Sequence, residues 1–118
     1  MSELNGKRVL VVDDEIDICR LVAFELTECH VDMALSFDEG VERFATARYD
    51  LVTLDIMGVD GYALLDRMAA PAPCIILTGR ALSREDLRRA VAGRAVLYLP
   101  KDELGRLQQY VAKAIGAR

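Results

Sequence analysis

Val9-Leu10-Val11-Val12-Asp13-Asp14-Glu15 is the stretch on which the fold turns. Four apolar, mostly β-branched residues stop abruptly at three carboxylates. A run this short, apolar at every position rather than at alternate ones, reads as a strand buried on both faces. The same form returns at Leu51-Val52-Thr53-Leu54-Asp55, at Cys74-Ile75-Ile76-Leu77-Thr78 and at Ala95-Val96-Leu97-Tyr98-Leu99. Val31-Asp32-Met33-Ala34-Leu35 alternates instead, as an edge strand should. Between the strands the apolar period changes to that of a helix. Ile16, Cys19, Val22, Ala23 and Leu26 share one helical face. Ser36-Phe37-Asp38-Glu39 is a capping box opening a second helix, with Val41 and Phe44 on one side. Asp60-Gly61 precedes a third, carrying Ala63, Leu64 and Met68, with Asp60 read as its cap. Ser83-Arg84-Glu85-Asp86 opens a fourth, and Leu104, Leu107, Val111 and Ile115 line a fifth.

Strand and helix thus alternate along the chain, which implies βαβ units and a parallel sheet covered on both faces. The expected fold is α/β: a flavodoxin-like, doubly wound (βα)5 three-layer sandwich with strand order 2-1-3-4-5. The 118 residues make one domain over residues 1–118. No repeat, low-complexity segment or linker interrupts it. The chain stops soon after the fifth helix, so no further domain is expected.

Composition narrows the function. With 53% hydrophobic and 29% charged residues, the chain is not disordered. It has no apolar run long enough for a membrane span and no signal-peptide pattern at its start, so a cytoplasmic, membrane-free protein is expected. A net charge of −4 without a basic stripe argues against direct nucleic-acid binding. Cys19, Cys29 and Cys74 are odd in number and lack a CxxC, which disfavours a disulfide framework or a zinc cage. His30 is the single histidine, so multi-histidine metal sites are excluded.

In open α/β sheets, ligands bind beyond the carboxyl ends of the strands. There the sequence places Asp13-Asp14-Glu15, Asp55, Thr78-Gly79-Arg80 and Pro100-Lys101-Asp102. Asp13, Asp14 and Asp55 should converge within a few ångströms, and three like charges need a positive partner. Asp13 or Asp14 could cap the first helix, but a cap needs one carboxylate and not a cluster. Oxygen-only ligands suit a hard cation, and Mg²⁺, which takes few carboxylates plus waters and phosphate oxygens, fits better than Ca²⁺. Thr78 and the Gly79 N–H are donors for an anionic oxygen, and Lys101 is a fixed cation. This is equipment for receiving a phosphoryl group.

On these motifs the sequence resembles the receiver domains of bacterial two-component response regulators. VLVVDDE is similar to that family's first strand and acidic pair, and LVTLDIMGVDGYALL to its third strand with the phospho-accepting aspartate. CIILTG resembles the fourth strand with its signalling threonine, and YLPK carries an aromatic residue before the lysine. The resemblance implies Asp55 as phosphoacceptor, with Asp13, Asp14, Asp55 and the Met57 backbone carbonyl holding Mg²⁺. Thr78 and Lys101 would bind phosphoryl oxygens, and Tyr98 would turn inward as Thr78 moves. It also implies a histidine kinase or phosphotransfer protein as donor. The output surface would be the fourth helix, fifth strand and fifth helix, with Leu82, Leu87, Val91 and Tyr98, meeting a downstream protein or a second copy. Such a chain is a phosphoacceptor rather than an enzyme. Met57 and Arg80 flank the path of the hydrolytic water, and both point to slow self-dephosphorylation.

Two features depart from the family pattern. Ile56-Met57-Gly58-Val59 makes the loop after Asp55 shorter than usual, and Pro100 precedes Lys101 where the family usually has a proline after it. Two other readings use similar residues. A Mg²⁺-dependent phosphatase of the haloacid-dehalogenase type would carry a carboxylate two residues after its nucleophile, where this chain has Met57. A flavodoxin-like FMN carrier would need a Ser/Thr/Gly-rich phosphate loop where this chain has Asp13-Asp14-Glu15.

Overall fold

The parity of the strands builds the three layers. Successive side chains of a strand point to opposite faces of the sheet. Val9 and Val11 therefore join one core with Cys19, Val22, Leu107 and Val111, while Leu10 and Val12 join another with Leu54, Leu64 and Ile76. The computed structural model describes residues 4–56, 58–67, 72–79, 83–85, 88 and 95–116. Its elements are β1 (Arg8–Val12), α1 (Ile16–Glu25), β2 (His30–Ala34), α2 (Phe37–Thr46), β3 (Leu51–Asp55), α3 (Gly61–Arg67), β4 (Cys74–Thr78) and β5 (Ala95–Pro100). A 3₁₀ turn (Lys101–Arg106) and the C-terminal helix (Leu107–Gly116) follow. The strands are all parallel in the order β2-β1-β3-β4-β5, as the alternation requires. Register pairs Val12 with Leu54, Asp55 with Leu77 and Thr78 with Pro100, so the residues just past β1, β3, β4 and β5 share one rim. Among the described residues, no helix is long and apolar enough to cross a membrane.

Local chemistry sets the helix ends. The Glu39 N–H donates to Ser36 Oγ at 3.1 Å, and Glu39 Oε1 accepts from the Leu35 N–H at 3.1 Å, one residue ahead of the cap. This is the capping box read from sequence, with its return bond shifted. The first helix is not side-chain capped: Glu15 holds the cap position, and Asp13 Oδ1 accepts the Glu15 N–H at 2.9 Å instead. Asp60 stands before α3 in the left-handed region (φ 53°), and its carbonyl accepts the Leu64 N–H at 3.2 Å. The single fifth helix expected from sequence is two elements. Glu103 (φ −111°, ψ 22°) leaves helical geometry inside the 3₁₀ turn, and the α-helix starts only at Leu107. Arg84, Glu85 and Arg88 are helical and exposed. The rest of the expected fourth helix, including Leu82, Leu87, Arg89 and Val91, lies outside the described residues, as does Met68.

At the opposite rim, charge ties the amino ends of β1, β2 and β3. Tyr49 Oη donates to Asp32 Oδ2 at 2.8 Å, Arg8 Nη2 reaches the same oxygen at 3.2 Å, and His30 Nε2 lies 3.2 Å from Asp32 Oδ1. Partial burial works against the Asp32 carboxylate, but the Tyr49 hydrogen bond and the charges of His30 and Arg8 outweigh it, so its pKa is lowered. The same contact and burial push the Tyr49 phenol up to about 12.

Two outcomes follow from these contacts. A lowered folded-state pKa contributes stability that is present above the unfolded value, about 3.8, and is lost as pH falls through the folded value. Asp32→Asn should therefore flatten the acid limb of a urea-midpoint profile below about pH 4. An acid limb identical to wild type would contradict the network. Thr53 is fully buried in β3, and its hydroxyl has no hydrogen-bond partner among the described residues. Thr53→Val replaces it with a methyl of similar shape and should raise stability by about 1 kcal/mol in the same denaturation series. A loss of stability would show that the hydroxyl is satisfied.

Candidate functional site

Strand ends deliver the site. Asp13 follows β1, Asp55 closes β3, Thr78 closes β4, and Lys101 follows β5. Parallel register brings the four strand ends to one rim. Asp13 is fully buried, Asp55 is 5% exposed and Thr78 is 2% exposed. Asp14 and Glu15 are exposed at the mouth.

The Lys101 ammonium organises the carboxylates. Nζ lies 3.0 Å from Asp13 Oδ2, 2.9 Å from Glu15 Oε1 and 3.6 Å from Asp55 Oδ2. Every peptide bond among the described residues is trans. Pro100 (φ −62°, ψ 141°) is extended and caps the 3₁₀ turn, which starts at Lys101 and directs the lysine back across the rim. A proline before the lysine is thus compatible with the site. Burial works against the ammonium, but its hydrogen bonds to Glu15 and Asp13 outweigh burial and raise its pKa. Burial likewise pushes the Asp13 carboxyl above the usual range, and the nearby Asp55 charge adds to it. The Glu15 N–H and Lys101 offset this only in part. Asp13 Oδ2 is met by the Lys101 ammonium at 3.0 Å.

Asp13, Asp14 and Glu15 each offer a carboxylate oxygen, and these oxygens lie within 4.8 Å of one another. The third expected aspartate reaches the group through Gly58. The Gly58 N–H donates to Asp55 Oδ2 at 3.1 Å. A Cβ built on Gly58 would overlap both Asp55 Oδ2 and Asp14 Oδ1, and would stand 2.7 Å from Asp14 Cγ. Asp14 and Asp55 therefore both border the space that a Gly58 side chain would fill. A nearly buried carboxylate and an exposed one bordering such a gap fit an oxygen-liganded divalent cation.

The remaining expected residues fall as follows. Thr78 and Tyr98 share a sheet face: Cys74 and Ile76, which alternate with Thr78's neighbours, belong to the same core that Tyr98 packs against. Gly79 is exposed, and among the described residues a Cβ there would meet nothing within 4 Å. Met57 and Arg80 lie outside the described residues. Two site residues carried no role in the sequence reading. Glu15 is a direct partner of Lys101, and its signal was adjacency to the acidic pair. Gly58 is the wall of the gap, and its signal was a glycine inside the shortened loop.

The electrostatics predict opposite effects at two neighbours. Lys101→Met leaves the buried Asp13 carboxylate without its counterion and should lower stability in EDTA by about 3 kcal/mol. Asp13→Asn should raise the metal-free melting temperature at pH 7, because a raised folded-state pKa means that ionisation costs more in the folded chain. Shifts of the same sign in thermal melts would contradict this balance.

Comparison with known proteins gives one answer. The model of the response regulator receiver domain matches residues 9–112. The chain is 36% identical over 86 residues to the transcriptional regulatory protein ResD of Bacillus subtilis, a match covering 68% of this chain and 36% of that protein. It is also 36% identical over 86 residues to the transcriptional regulatory protein TcrA of Mycobacterium tuberculosis, covering 67% and 34%. The matched part is thus about a third of the length of these relatives. Among solved structures, a two-component response regulator from Clostridium difficile superposes with a TM-score of 0.83 at 23% identity, covering 96% of this chain and 98% of that one. A CheY-like receiver domain protein from Methanospirillum hungatei gives 0.78 at 22% identity, covering 97% and 100%. These structural likenesses carry the fold, and the family match over nearly the whole chain carries the assignment: the chain belongs to the response regulator receiver domain family.

Proposed function

We propose that this receiver accepts a phosphoryl group on Asp55 from the phosphohistidine of a histidine kinase or phosphotransfer protein, with Mg²⁺ bound between Asp55 and the acidic pair. Membership in two-component signalling implies the kinase partner. The observation that carries the reading is the environment of Asp55: a buried carboxylate with the Lys101 ammonium at 3.6 Å, the Gly58 N–H at 3.1 Å and a gap shared with Asp14.

The chemistry assigned to each residue follows from that setting. A carboxylate oxygen of Asp55 attacks phosphorus, forming an O–P bond as the P–N bond of the phosphohistidine breaks. The imidazole nitrogen keeps the bonding pair, and an acyl phosphate remains on Asp55. Asp13, Asp14, Asp55 and the Met57 carbonyl would hold the Mg²⁺, which when bound neutralises charge on the transferring oxygens. Lys101 holds a second positive charge beside Asp55 and stabilises a phosphoryl oxygen there. Thr78, on the strand beside Asp55, donates its hydroxyl to another. That pull on Thr78 clears room on the shared face for Tyr98, which turns inward. The surface around β5, the preceding helix and the C-terminal helix is thereby altered for a downstream protein or a second copy. The proposed output is binding and not turnover, and the acyl phosphate persists until water reaches it.

A small phosphodonor such as acetyl phosphate, supplied with Mg²⁺, should add one phosphoryl group by intact mass. The label should be absent in Asp55→Asn and in EDTA, and Lys101→Met should weaken it strongly. Full labelling of Asp55→Asn would contradict the assignment.

A further inference from the structure

Between Asp55 and Asp60 the chain is short, and Gly58 sets its main chain against the carboxylates. Ile56 is 3% exposed and Val59 is 4% exposed, so both flanking side chains are packed into the core under α3. The Gly61 N–H donates to the Ile56 carbonyl at 2.9 Å and closes the loop. Gly58 lies exposed at its tip, where the chain meets Asp14 and Asp55. Among the described glycines, positive φ occurs only at Gly6. Backbone conformation therefore does not require glycine at 58. The three nearest atoms that a Cβ there would meet all belong to these two carboxylates.

We infer that Gly58 is a gating residue for the cation: its missing side chain is the space through which a divalent ion reaches Asp14 and Asp55. The inference rests on the receiver reading of this site and adds a residue to it. A methyl at 58 fills the gap and displaces the carboxylates. Asp14 is exposed and can turn into solvent, so the fold tolerates the change. Asp55 is nearly buried and cannot move as freely. The result is a folded protein whose two carboxylates no longer face one point. Gly61 is the contrasting case. A Cβ there would stand 2.7 Å from the Asp55 carbonyl and 2.8 Å from Ile56 Cα, both backbone atoms that cannot step aside. Gly61→Ala should therefore damage the fold, whereas Gly58→Ala should damage binding alone.

The test is a titration with Mn²⁺, following free ion by its electron paramagnetic resonance, on wild type and Gly58→Ala, with melting curves of both in EDTA. Support is a dissociation constant raised about tenfold or more in Gly58→Ala, with the two metal-free melts alike. Equal affinities would overturn the role of Gly58 while leaving the receiver reading in place. Absence of binding by wild type would overturn the cation site itself, and the inference with it. An independent readout uses wild type only. On Mg²⁺ addition, the Gly58 amide resonance should be among the most shifted. A still Gly58 amide beside shifting Asp14 and Asp55 amides would also overturn the inference.

Discussion

One ammonium holds the rim together. Lys101 Nζ stands among Asp13, Glu15 and Asp55 at 3.0, 2.9 and 3.6 Å. Without it, a fully buried carboxylate and a nearly buried one would face each other at the end of a parallel sheet. Removing one partner from a buried ion pair costs far more than an exposed pair contributes, because the orphaned charge stays desolvated. The compensation is nevertheless partial, since the Asp13 carboxyl remains above its ordinary range. The site is therefore a region of stored electrostatic strain, relieved by a proton, a cation or a change in Lys101's partners. In the proposed reaction, a phosphoryl group on Asp55 would compete with Asp13 and Glu15 for the same ammonium and would couple the chemistry to the ends of β1 and β5.

The rest of the fold keeps that strain local. Two apolar cores sandwich the sheet, and each strand contributes alternate residues to both. The carboxyl rim carries the unbalanced charge. The amino rim carries a satisfied network around Asp32 that pins β1, β2 and β3. The satisfied network and the proposed site thus occupy opposite ends of the same strands.

Much of this was legible in the residues. Runs such as Val9–Val12 and Cys74–Leu77 announce buried parallel strands, because they are short, rich in β-branched residues and apolar at every position. Asp13, Asp55, Thr78 and Lys101 were legible as a group because each directly ends a run, and parallel strands bring their ends together. What was not legible depends on distances between segments. Glu15's bond to Lys101 is set by how far the 3₁₀ turn carries the lysine back, and no periodicity encodes that. Gly58's proximity to Asp14 depends on how tightly the loop closes under α3. The break at Glu103 hides inside an apolar spacing that Leu104, Leu107 and Val111 satisfy across the kink. The Asp32 network joins residues from three strand starts whose side chains look like ordinary surface charge.

The most direct measurement is the melting temperature of the wild-type chain at neutral pH as Mg²⁺ is raised from none to about 10 mM. An ion that binds the folded rim and not the unfolded chain stabilises in proportion to the logarithm of its concentration above the dissociation constant. A cation site that includes Asp14 gives a steady rise with Mg²⁺ that disappears in Asp14→Asn. A melting temperature that does not respond to Mg²⁺ would show that the acidic rim is balanced by Lys101 alone, and would contradict the cation-dependent receiver described above.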